Sequence, residues 1–172
     1  GGTRGGRGRL RTVAMPRSQR GFTLIELLVT LALLGVLAML AAPMTEAAVQ
    51  RRREQALRES LRELRSAIDR YRLAVEQGRI VRRLGESGYP PNLEVLVTGM
   101  PDAQNPKGGQ IYFLRRLPRD PFVRDTNVPA AATWGLRSYA SAPDDPRDGD
   151  DVFDVYSRAD GVGLDGIPYR EW

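Results

Sequence analysis

From residue 22 the chain reads FTLIELLVTLALLGVLAMLAAPM, and from Leu27 to Ala42 it carries no charge. At about 1.5 Å per residue, residues 22–42 in a helix span roughly 30 Å, the thickness of a bilayer core. A soluble core helix would show a polar face, and this stretch has only Thr23, Glu26 and Thr30. Residues 22–44 are therefore expected to form a transmembrane helix. Arg17 and Arg20 flank its start and favour a cytoplasmic N-terminus. Arg51, Arg52 and Arg53 lie beyond the far end and weaken that bias, but the first flank usually dominates.

The helical pattern continues past Pro43. That residue lacks an N–H and its ring crowds the carbonyl of Met39, so the helix should kink or loosen there. Leu57, Leu61, Leu64, Ile68, Tyr71 and Val75 then recur at spacings of four, three, four, three and four. This is one apolar stripe on a helix otherwise rich in Arg and Glu. Glu54 and Arg58 are expected to pair along its surface, and Gly78 to stop it. Residues 45–77 thus need a partner for one face, and residues 78–172 are the part of the chain that can supply it.

Those residues read as a small, loop-rich α+β unit. Tyr89-Pro90-Pro91-Asn92 is a turn, 93–97 a short helix, and 111–114 a short strand or helix. Pro118, Pro121 and Pro129 exclude long regular structure between them. Residues 136–140 and 152–156 read as strands joined by the acidic turn PDDPRDGD. The fold class expected is α+β: a long N-terminal helix packed on a small antiparallel sheet with a loop-rich C-terminal region.

Charge and composition remove several functions. The formal net charge is +5, but residues 1–21 hold six arginines and no acid. The remainder carries 20 bases against 21 acids, so the basicity belongs to a leader and not to a nucleic-acid surface. Residues 1–14 are Gly/Arg-rich and are expected to be disordered, and Met15 is an alternative start that would leave a compact leader, MPRSQRG. There is no histidine, the usual general base and metal ligand at neutral pH, and no cysteine. No GxSxG, P-loop or GxGxxG occurs. No enzyme is expected.

The sharpest signal is Arg20-Gly21-Phe22-Thr23-Leu24-Ile25-Glu26 running into the apolar span. A lone carboxylate inside such a segment costs a few kcal/mol on insertion scales and normally has a partner and a function. Gly21 has no side chain, which suits close binding of the backbone by a peptidase. An ordinary signal peptide ending near Ala42 is the competing reading, and it leaves Glu26 without a reason.

This stretch closely resembles the N-terminal signal of type IV pilins and pseudopilins. The resemblance implies that a prepilin peptidase cuts between Gly21 and Phe22 and methylates the new Phe22 amine. It implies that Glu26 supports assembly by pairing with the N-terminal amine of a neighbouring subunit. Pro43 falls where these families often carry a helix-loosening proline. Farther on, YPPNLEVLV, RRLPRDPF and DVFDVYSRADG through Trp172 resemble the major pseudopilins of type II secretion systems. Departures are Phe122 where Trp is usual, a shorter loop between Ser157 and Asp160, and an inserted segment at 126–134. The implied role is a subunit of a periplasmic pseudopilus, single-pass in the inner membrane. Its implied partners are further copies of itself, the peptidase, other pseudopilins and inner-membrane secretion components. A minor pilin of a type IV pilus and a DNA-uptake pseudopilin are the alternatives.

Two further expectations concern the C-terminal part. Asp160 and Asp165 lie five residues apart in a loop with three glycines, a layout able to curl oxygens around a calcium ion. The loop does not match an EF-hand. The resemblance to major pseudopilins implies a calcium ion there, with Asp160 and Asp165 as ligands. The alternative is a solvated loop in which both aspartates bond their own backbone. Residues 51–83 carry a balance of +6 and residues 144–172 one of −6. That layout suggests contact between the arginine-rich helix of one subunit and the acidic segment of the next.

Overall fold

The computed structural model describes residue 2 and residues 21–172, and within these it leaves out the side chains of residues 40–45. The leader expected over 1–21 lies outside the described residues except at Gly2 and Gly21. The chain divides into two units, Gly1–Met44 and Thr45–Trp172. Helix α1, Leu24–Glu76, begins in the first and ends in the second. Its start has a local cause. Thr23 precedes the first turn, and Thr23 Oγ1 accepts the Glu26 N–H at 3.3 Å while Thr23 O accepts the Leu27 N–H at 3.1 Å. Thr-x-x-Glu is the sequence signature of such a start. Past the last turn, Gly78 takes a φ of +70° that only glycine adopts cheaply, and its N–H donates to Val75 O.

In the first unit the apolar side chains from Leu24 to Met39 are exposed on every side of the helix. Among the described residues, no helix is long and apolar enough to cross a membrane. The described apolar face ends at Met39, and the side chains of 40–44, the rest of the expected span, lie outside it. Pro43 falls within the bounds of α1, its side chain likewise outside.

The second unit has its own core. Leu57, Leu61, Leu64, Ile68 and Tyr71 of the expected stripe are buried, together with Ala67 and Ala74 on the same face, while Val75 is half-buried. They pack against Ile80, Leu93, Leu96, Phe113, Leu114, Trp134, Val152, Val155 and Tyr169. Helix α2, Val95–Thr98, inserts Leu96, and Asn92 Oδ1 accepts the Val95 N–H at its start. Strand β1, Met100–Pro101, pairs antiparallel with β2, Gln110–Ile111. Strand β3, Trp134–Arg137, pairs antiparallel with β4, Asp154–Ser157, with Trp134 opposite Ser157.

Both expected strands exist, though β3 begins two residues earlier and β4 two residues later than the pattern indicated. Val155 and Ser157 face the core from β4. Val152 is buried ahead of the strand, where its N–H donates to Pro90 O at 2.8 Å. Val152 and Val155, three residues apart, are thus both buried, so the alternation of a strand does not hold back to residue 152.

The resemblance motifs meet in space. Asp120, in Leu117-Pro118-Arg119-Asp120-Pro121, is only 1% exposed. Its carboxylate accepts the Ser157 hydroxyl and the Phe122 N–H, and its own N–H donates to Thr133 Oγ1. Trp134 Nε1 donates to Pro118 O at 2.9 Å. The proline-rich segment, which cannot form a strand ladder, is thus tied to β3 and β4 by side chains.

Candidate functional site

Two places carry the residues singled out by sequence. The first is the start of α1. Gly21 is exposed, and among the described residues nothing lies within 4 Å of where its Cβ would be. Phe22 is 83% exposed, and Glu26 is exposed in the first turn of the helix. Its peptide N–H is the one Thr23 caps, and its carbonyl accepts the Thr30 hydroxyl at 2.9 Å. Among the described residues the Glu26 carboxylate has no hydrogen-bond partner.

The second place is where the C-terminal segment lies on α1. Carrying the stripe's spacing back by three from Leu57 lands on Glu54, and Glu54 is 6% exposed. Its Oε1 accepts from Gln50 Nε2, the Leu164 N–H and the Tyr169 hydroxyl, each at 3.0 Å. Glu54 therefore does not pair with Arg58 as expected. Arg58 instead meets Asp165 Oδ2 at 2.6 Å and lies over the Trp172 ring, 4.1 Å from its centroid. Two turns on, Arg65 donates to Asp154 Oδ1, Val155 O and Trp172 O. Phe122 stacks on Tyr169 with ring centroids 4.3 Å apart. Burial, and then the Glu54 carboxylate, push the Tyr169 phenol above its ordinary pKa, against the lowering effect of Gln50. Tyr169 thus stays a proton donor at neutral pH.

These contacts bear on the charge layout and on calcium. Arg58–Asp165 and Arg65–Asp154 join the basic and acidic segments within one chain. Asp144, Asp148 and Asp150 of the acidic turn remain exposed. For calcium, no group of three or more carboxylates that could hold a metal occurs among the described residues. Asp160 is exposed. Asp165 Oδ1 accepts the Ile167 N–H, an Asx turn of the kind the alternative reading expected, and Oδ2 is held by Arg58. A guanidinium at 2.6 Å places positive charge where a cation would need negative charge. The residues present do not fit a calcium ion.

A helix that is apolar all round at its start and buries one face farther on, with small antiparallel sheets and a cleavage-type N-terminal motif, defines a pilin-like protein. Residues 16–42 match the prokaryotic N-terminal methylation motif family. The chain is 33% identical over 143 residues to type II secretion system core protein G of Klebsiella pneumoniae, covering 78% of this chain and 92% of that protein. It is 30% identical to the protein of the same description from Dickeya chrysanthemi, covering 88% and 95%, and 30% identical to that from Pseudomonas aeruginosa, covering 77% and 89%. No solved structure matches the chain. The chain belongs to the family of type II secretion system core protein G, the major pseudopilins.

Proposed function

We propose that the chain is a structural subunit of a periplasmic pseudopilus that helps drive protein secretion by a type II secretion system. The observation that carries this reading is the match to core protein G relatives over nearly their whole length. The exposed apolar turns of α1 support it, because a helix apolar on all sides is stable only where lipid or neighbouring helices cover it.

Residues 22–44 cross the inner membrane once, and residues 45–172 stand in the periplasm. A prepilin peptidase cuts between Gly21 and Phe22 and methylates the Phe22 amine. In the filament, Glu26 pairs with the N-terminal amine of a neighbouring subunit. There the low dielectric strengthens the attraction and the partner offsets the desolvation of the carboxylate. Pro43 lets the helix loosen between its membrane and periplasmic parts. The partners are other copies of the chain, other pseudopilins and the inner-membrane secretion components.

Deletion of the gene from its host, followed by complementation, tests the proposal with three readouts: secreted protein, pilus-based motility and DNA uptake. Loss of secretion alone, restored by the wild-type gene, is expected. Intact secretion with lost motility would assign the chain to a type IV pilus, and selective loss of DNA uptake would assign it to competence.

A further inference from the structure

Glu54, Arg58 and Arg65 project from one side of α1, at spacings of four and seven, and all three reach the segment from Asp154 to Trp172. We infer that the C-terminal loop around Asp160–Asp165 is held folded by this glutamate–arginine latch on α1 and requires no metal ion.

The argument starts from Glu54. A buried carboxylate without donors is strongly destabilising, and two of its three donors here, the Leu164 N–H and the Tyr169 hydroxyl, come from the loop and the turn after it. Displacing the loop would therefore strand the Glu54 charge. Arg58 holds the other side of the loop through Asp165, and its guanidinium lies on the Trp172 ring, a cation–π contact.

The loop also closes on itself. Gly163 N–H donates to Ile167 O at 2.8 Å, Gly166 N–H donates to Gly163 O at 2.9 Å, and Val162 bridges Pro168. Trp172 Nε1 donates to the same Ile167 carbonyl at 3.2 Å. The Gly163 and Ile167 carbonyls and both oxygens of the Asp165 carboxylate are thus already engaged by donors of this chain. Gly163 is required at its position, since a Cβ there would lie 2.4 Å from Trp172 Cζ2. The cationic role falls to Arg58, which is covalently part of the helix and always charged.

The test uses the full chain purified in detergent. Melting temperature and amide hydrogen exchange of residues 160–172 are measured in millimolar calcium and in excess EGTA. The wild type should give the same melting temperature and the same loop protection in both. In EGTA, Arg58→Gln and Asp165→Asn should each speed exchange of the 163–167 amides by about tenfold, while the 57–71 helix stays protected. Glu54→Gln should loosen the loop further. Asp165→Asn is the safeguard should Arg58→Gln misfold, since it removes the pair's charge from the loop and leaves the helix residue in place. A calcium-dependent rise in the wild-type melting temperature that Asp160→Ala abolishes would overturn the inference. Loop exchange unchanged in both Arg58→Gln and Asp165→Asn would also overturn it.

Discussion

Replacing Asp120 by alanine should destabilise the Thr45–Trp172 unit more than any surface change. The side chain is 1% exposed and accepts two hydrogen bonds, from the Ser157 hydroxyl and the Phe122 N–H. Alanine leaves both donors buried without an acceptor, at about 1–3 kcal/mol each. The Ser157 hydroxyl can rotate, so the lower end applies to it, and a total of about 3 kcal/mol follows. A folded unit of about 130 residues has an unfolding entropy of about 0.27 kcal/mol/K, which converts that loss into a fall in melting temperature of about 11 °C. Asp120→Asn keeps an acceptor for the Phe122 N–H and offers an amide donor to Ser157 Oγ, so it should lose less than half as much. Denaturant unfolding and calorimetry on the two variants measure the difference. If Asp120→Ala unfolds within about 1 kcal/mol of wild type, the tie between the proline-rich segment and β4 is not what positions that segment.

Other outcomes follow from particular contacts. Gly135→Ala would place a Cβ 2.3 Å from the Tyr156 ring across the β3–β4 pair, so it should cost about 1–3 kcal/mol by denaturant titration. Arg79 donates to Asp102 Oδ2 through Nη2 at 2.6 Å and through Nε at 3.2 Å, and this contact holds the Asp102 carboxyl below its ordinary value. A depressed carboxylate pKa stabilises the fold above the unfolded value, and the contribution is lost as pH falls through the folded one. Wild type should therefore melt above Asp102→Asn at neutral pH, with the gap closing as pH drops below 3.8. Glu26→Ala should be cleaved after Gly21 as efficiently as wild type, by intact mass, yet fail to enter filaments. Normal filament yield from that variant would remove the assembly role.

Much of this was legible in the sequence because helices write themselves as a period. The 3–4 stripe located the buried face of α1 residue by residue. Extending the same period by one step reaches Glu54, whose charge suggests a surface pair with Arg58 although its position on the helix is in the core. Asp120 stood inside a recognised motif, but its role depends on Ser157, 37 residues away, and no local pattern encodes that meeting. Strands β1 and β2 are two residues long, too short for any alternation to register, and β1 contains Pro101. The latch was hidden for a related reason. Opposite charge on two segments was visible, but not that Arg58 and Arg65 would satisfy Asp165 and Asp154 within one chain.

The most direct measurement concerns the filament itself. When the host secretion system is overproduced, sheared surface filaments can be purified and their bulk subunit weighed intact. The account predicts that this subunit is the present chain beginning at Phe22 with a methylated amine, and that zero-length crosslinking joins Glu26 to the N-terminus of a neighbour when methylation is blocked. Filaments built without this chain, or a mature chain beginning near Pro43, would contradict it.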